Sequence, residues 1–215
     1  MGFTLPIAFH AIATKPRNEH SVTIRCDSSS TAPEVIVTEQ EVVAIQAAWS
    51  NAIKIISETF AQKGDVVAAA AAAAGELYGY GHGAVMFKPT KATNHPFRPT
   101  PAEAMSYFVG KEIWDAAGNQ GYPEDHGFAI NGGKGWSDVV FTNHQIQIHG
   151  NIAFAMGSYV FTNATDASTV KVEYTFGYKK NDDGKLRIFL HHSSVPYVAV
   201  HNDAIHDKVT CCVPT

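Results

Sequence analysis

The chain has 215 residues, 45% of them hydrophobic and 17% charged, and a formal net charge of -4. That length suits one domain with a sizeable core. The mild acidity gives no electrostatic case for nucleic acid or an anionic membrane surface, and no apolar run reaches the roughly 20 residues of a spanning helix.

The three cysteines, Cys26, Cys211 and Cys212, do not make a disulfide framework, and none belongs to a Cys-x-x-Cys pair. A reducing or redox-variable compartment is expected rather than secretion. Residues 1–36 read as an N-terminal extension. Within it, residues 5–13 are mildly apolar but follow no basic segment, so no signal peptide is expected. Residues 21–26 suit a short edge strand and residues 28–33 a linker. The domain is expected over residues 37–198, followed by a tail over 199–215.

The first firm element begins at Thr38. Thr38-x-x-Glu41 is a capping-box pattern, and Val42, Ile45, Trp49, Ala52, Ile56 and Phe60 recur at helical spacing. Gly64 stops this helix and Asp65 caps a second, packed from alanine and valine over residues 66–74. Residues 75–135 are loop-rich. Tyr78-Gly79-Tyr80-Gly81-His82-Gly83 permits sharp bends and close backbone approach. A short strand is expected over residues 85–90, and Pro101, with Thr100 as cap, opens a helix that runs through Tyr107.

The rest reads as β. Residues 136–142 and 145–150 make one irregular pair. Residues 152–161 are apolar on both faces, as in a central strand. Val170, Val172, Tyr174 and Phe176 alternate with polar neighbours, and Asn181-Asp182-Asp183-Gly184 signals a hairpin into the last strand. Helices followed by an antiparallel meander give an α+β fold with helices against one face of a bent sheet.

In that last strand, strict alternation puts Leu186, Ile188, Leu190, His192 and Ser194 on the core face. Arg187, Phe189, His191 and Ser193 then fall on the other. An apolar row ending in His and Ser suits a pocket wall that turns polar. A strand end meeting solvent would carry the same residues.

Several common machineries are missing. There is no phosphate loop, no dinucleotide-binding glycine motif, no His-Glu-x-x-His and no nucleophile elbow. Eleven histidines raise the question of a metal, and zinc needs three or four converging ligands. Adjacent His191 and His192 cannot chelate together from a strand. One of them with His82, His95 or His149 remains an alternative.

Four ordered segments carry a resemblance: Phe87-Lys88-Pro89-Thr90, Ser106-Tyr107-Phe108-Val109-Gly110, Gly132-Gly133-Lys134-Gly135-Trp136 and Leu190-His191-His192-Ser193-Ser194-Val195-Pro196-Tyr197. Over roughly residues 38–197 the chain resembles the iota class of carbonic anhydrase. That family is similar to the association domain of calcium/calmodulin-dependent kinase II and to nuclear transport factor 2-like folds. The resemblance implies a cone-shaped α+β fold, with helices closing one side of a strongly curved antiparallel sheet. It implies reversible hydration of carbon dioxide to bicarbonate, in some members without a metal.

By motif, Thr90, Tyr107 and Ser194 are the expected hydroxyls that bind bicarbonate and orient water. His192, or in second place Tyr107, is expected to assist proton transfer. Phe87 and Trp136 are expected to line the pocket, along with Phe154 and Tyr174, and His82 to sit near its mouth. No metal cofactor is expected, with manganese or zinc as the runner-up. A homodimer is expected, in a plastid or alternatively in the cytoplasm. The competing readings are a non-catalytic assembly module and an isomerase or dehydratase that uses Asp115 or Glu173 as base.

Overall fold

A computed structural model of the chain describes residues 35–199. The expected strand at residues 21–26, the linker, most of the tail and all three cysteines lie outside the described residues. The elements, in chain order, are α1 (Glu39–Ala61), α2 (Val66–Leu77), β1 (Met86–Lys88), α3 (Pro101–Val109), α4 (Lys111–Ala116), β2 (Trp136–His149), β3 (Ile152–Asn163), β4 (Thr169–Lys180) and β5 (Leu186–Ser194).

The capping box at α1 forms as the sequence predicts. Thr38 Oγ accepts the Glu41 backbone N–H at 3.2 Å, and the Glu41 carboxylate accepts the Thr38 N–H at 2.8 Å. Asp65 caps α2 through the Ala68 N–H at 2.8 Å. The buried stripe of α1 is Val42, Ile45, Trp49, Ile53 and Ile56, laid against the inner face of the sheet. Inner-face residues of the strands, including Val139, Tyr159, Phe161, Val172, Tyr174 and Phe176, complete the core.

The sheet runs β1-β5-β4-β3-β2. β2 to β5 form an antiparallel meander, while β1 pairs with β5 in parallel, Phe87 opposite His191. Two expectations change. Residues 136–142 and 145–150 are not partners; they are one strand, β2, which pairs along its length with β3 and bulges at Asn143/Gln145. The short helix α4 was not anticipated from the sequence.

The larger change concerns β5. Gly177 pairs with Leu190 and Tyr178 with Ile188, which leaves Phe189 without an opposite residue. This is a β-bulge, two residues facing one. Phe189 packs on Phe154 of the outer face, and Leu190 follows it there. Gly177 makes the bulge possible: a Cβ at that position would meet the Phe189 ring at 2.8 Å and the Leu190 Cβ at 3.0 Å. Each residue beyond the bulge is therefore shifted by one face. Ile188, His191 and Ser193 are buried, whereas His192 is exposed and Ser194 half-buried. Strict alternation had put His192 and Ser194 inward; the extra residue reverses them.

Candidate active site

The site forms where β5, β3, α2 and α3 meet. β5 brings His191 and Ser193, which are 3% and 2% exposed. Their neighbour on the inner face is Tyr159 of β3. The Tyr159 and Ser193 hydroxyls are in close hydrogen contact, and His191 Nε2 lies 2.9 Å from Ser193 Oγ and 3.3 Å from Tyr159 Oη. On the other side of the ring, His191 Nδ1 is 2.8 Å from the hydroxyl of Tyr78, at the end of α2. Tyr78 in turn accepts the Trp49 indole N–H at 3.0 Å.

Tyr107 reaches the same region from α3. Thr100, Glu103 and Pro101 define the start of that helix. Its end is held by the loop that follows, where Phe128 N–H donates to Tyr107 O and Ala129 N–H to Phe108 O, both at 2.9 Å. Gly110 has φ +89°, and a Cβ there would stand 2.9 Å from the Gly127 nitrogen. A buried node fastens α3 from below. Arg98 donates to Asp125 at 2.8 Å, and Ser106, beside Tyr107, donates to the other Asp125 oxygen at 2.5 Å.

Aromatic contacts enclose these hydroxyls. Ring centroids are 5.8 Å apart for Phe87–Tyr107, 5.3 Å for Tyr107–Phe128, 5.3 Å for Phe128–Phe161 and 4.8 Å for Tyr159–Phe161. Phe87 closes the circuit by stacking on His191 at 4.8 Å. Thr90 follows β1 and lies beside Tyr107. The Lys91 N–H reaches the Tyr107 oxygen at 3.4 Å, and the Thr90 backbone also acts on that phenol.

Burial dominates the electrostatics of this enclosure. It pushes the Tyr107, Tyr159 and Tyr78 phenols well above their ordinary range, so all three stay protonated. The same desolvation, helped by neighbouring His192, lowers His191 to about 3, so its ring is neutral. The cluster is thus uncharged and rich in hydroxyl donors. Tyr107 accepts from the chain, but its own hydrogen has no acceptor among the described residues. An unused donor in an apolar enclosure suits an oxygen that carries, or develops, negative charge.

Of the expected residues, Phe87, Thr90 and Tyr107 are brought together. Trp136 is one layer back, touching Phe128 and Phe161 and donating its indole N–H to Phe128 O at 2.7 Å. His192 and Ser194 instead line a shallow groove on the outer sheet face with His144, Lys171 and Glu173. Phe154 is on that outer face too, Tyr174 turns its hydroxyl to Asn143 at 2.9 Å, and His82 lines a separate surface hollow with Arg187. Asp115 pairs with Lys111 on α4, and neither it nor Glu173 is buried. No buried carboxylate base of the kind an isomerase would use comes from these two. No group of three or more His, Cys, Asp or Glu able to hold a metal occurs among the described residues.

Four residues of this cluster, Tyr78, Tyr159, His191 and Ser193, were not assigned to the site from the sequence. The isolated Gly177 within a strand was the available signal for the bulge.

Residues 40–195 match the family described as metal-independent carbonic anhydrase. The chain belongs to that family. A metal-independent carbonic anhydrase from Nostoc sp. (strain PCC 7120) is 42% identical over 164 residues, 75% of each chain. The crystal structure of an iota-carbonic anhydrase from a cyanobacterium, in complex with bicarbonate, superposes with a TM-score of 0.69 at 39% identity. That match covers 79% of this chain and 99% of the other. A nuclear transport factor 2-like protein from Salmonella enterica aligns over 76% of this chain and 94% of its own, with a TM-score of 0.40 and 13% identity. The α+β architecture, helices on a curved five-stranded sheet, is the one the resemblance implied.

Proposed function

We propose that residues 37–198 form a catalytic domain that hydrates carbon dioxide reversibly to bicarbonate, without a metal, inside the enclosure of Tyr107, Tyr159 and Ser193. The observation that carries this reading is a neutral, buried hydroxyl cluster with donor hydrogens left over. The bicarbonate bound by the cyanobacterial relative supports the choice of ligand. Thr90 supplies a further hydroxyl at the edge.

Carbon dioxide is small and apolar, and aromatic walls suit it. His191 is not available as a base, because each ring nitrogen is already hydrogen bonded. Tyr107 is not one either, since burial holds its proton. The hydroxyls themselves do the proton transfer. As the water oxygen bonds to carbon, a water hydrogen passes to Ser193 Oγ, and the Ser193–Tyr159 pair passes one hydrogen to a carbon dioxide oxygen. The product is carbonic acid, which ionises to bicarbonate, and the protein ends as it began. The Tyr107 donor stabilises the charge that develops on oxygen.

The test is stopped-flow carbon dioxide hydration before and after exhaustive chelation, with metal content measured on the same sample. Full activity after chelation is expected. Activity lost on chelation and restored by manganese or zinc contradicts the reading.

The outer sheet face exposes Val140, Phe154 and Met156. We assign it to contact with a second copy of the chain, because an apolar sheet face of this kind favours association. Light scattering on wild type and on Phe154→Glu/Met156→Lys checks it: a dimer and a monomer are expected, and a monomeric wild type refutes it. A plastid setting belongs to the same proposal and rests on the family resemblance. A fluorescent fusion of the full-length protein outside plastids would refute it.

A further inference from the structure

We infer that His191 is a positioning residue, locked by Trp49 and Tyr78 as the tautomer with hydrogen on Nε2, and that this lock turns the Ser193–Tyr159 pair into a hydrogen donor toward the substrate. The inference rests on the carbonic anhydrase reading above.

Hydrogen bonds run in series through Trp49, Tyr78, His191, Ser193 and Tyr159. An indole N–H only donates, so Trp49 fills one lone pair of the Tyr78 oxygen. Tyr78 is fully buried and has a single hydrogen. Apart from Trp49, its hydrogen-bond neighbour among the described residues is His191 Nδ1, at 2.8 Å. A buried phenol hydrogen is costly to leave unpaired, so it goes to Nδ1, and Nδ1 is the bare nitrogen. Desolvation keeps the ring neutral, which leaves its one hydrogen on Nε2.

That hydrogen points at Ser193 Oγ, 2.9 Å away, with Tyr159 Oη at 3.3 Å. Ser193 and Tyr159 carry two hydroxyl hydrogens between them. Their mutual bond uses one. The other finds no lone pair on His191, because Nε2 is occupied. It is left for a ligand oxygen.

The opposite tautomer would reverse this outcome. A bare Nε2 would accept the spare hydrogen, and the cluster would be satisfied internally. It would then offer the substrate lone pairs rather than a donor. The chain also has a closed end: Trp49 Nε1 cannot accept a proton, so protons cannot leave by this route. It orients His191 and does not conduct.

The test uses the full chain labelled with 15N-histidine. Long-range 1H–15N spectra show which ring nitrogen carries hydrogen, and His191→Gln assigns the signal. Wild type is expected to show Nε2–H at His191, unprotonated down to pH 5. Tyr78→Phe removes the hydrogen given to Nδ1. It is expected to populate the Nδ1–H form and to lower kcat in proportion to that fraction, which a purely structural contact would not do. A wild-type ring that is Nδ1–H or doubly protonated overturns the inference, and so does Tyr78→Phe with a flipped ring and wild-type kcat. If Tyr78→Phe does not fold, the wild-type spectrum alone decides. A wild type that hydrates no carbon dioxide strikes the functional reading instead, and the tautomer in the same sample decides the lock separately.

Discussion

Acidification should destabilise this protein through His191 well before its carboxylates titrate. The folded ring is held to about 3, against 6.5 for an unhindered histidine, because burial penalises the charged form. The sign follows directly. Below pH 6.5 the unfolded chain takes up a proton at this position and the folded chain does not, so stability falls with falling pH. At pH 5 the loss is RT ln(1 + 10^1.5), about 2 kcal/mol. Carboxylates held low by their partners, such as Glu41 beside Lys180 and Asp183 beside Arg187, add their own loss only under further acidification. Asp125, raised by burial, works in the opposite direction. The assay is urea unfolding at pH 7 and pH 5 on wild type and His191→Gln. Wild type should lose about 2 kcal/mol more than the variant between the two pH values. Equal losses would mean that His191 is not buried as a neutral ring, and the donor logic of the cluster would fail with it.

Three substitutions probe other parts of the site. Tyr107→Phe removes an unused donor from the enclosure while sacrificing only a weak 3.4 Å contact, so kcat should drop about 100-fold with thermal stability retained; an unchanged kcat removes Tyr107 from the reaction. Gly177→Val forces a side chain into the space of Phe189 and Leu190. It should cost about 1–3 kcal/mol in urea unfolding and impair hydration by disturbing the phase of β5; wild-type stability would count against the bulge. Asp125→Ala removes the 2.8 Å partner of the fully buried Arg98 guanidinium and leaves it only the longer 3.6 Å contact with Glu124. A loss of about 3–5 kcal/mol is expected from the same unfolding measurement, and a loss below 1 kcal/mol would show that the node does not anchor α3.

Much of the architecture was legible because local physics dictates it. The capping boxes at Thr38 and Thr100 specify helix starts through hydrogen bonds within a few residues. The alternation from Val172 to Phe176 records one buried face. Long-range pairing was harder. Nothing local shows that β1 would lie parallel beside β5, since the two strands are about a hundred residues apart. The candidate site was half legible. The family motifs pointed to Thr90, Tyr107 and Phe87, and the fold brings these three together. The face of the His-His-Ser-Ser run did not follow from period-two alternation, which assumes an unbroken ladder. One extra residue at Phe189 exchanges His192 and Ser194 for His191 and Ser193. Only the fold brings the Tyr78 and Tyr159 hydroxyls to the two ring nitrogens of His191.

The mechanism depends on which serine faces the enclosure. Stopped-flow carbon dioxide hydration by Ser193→Ala and Ser194→Ala, chelated and assayed side by side, tests this directly. Ser193 is buried against Tyr159 and His191, and Ser194 lines the outer groove. The mechanism predicts that Ser193→Ala loses nearly all hydration activity and that Ser194→Ala keeps it. Full activity in Ser193→Ala together with loss in Ser194→Ala would contradict it.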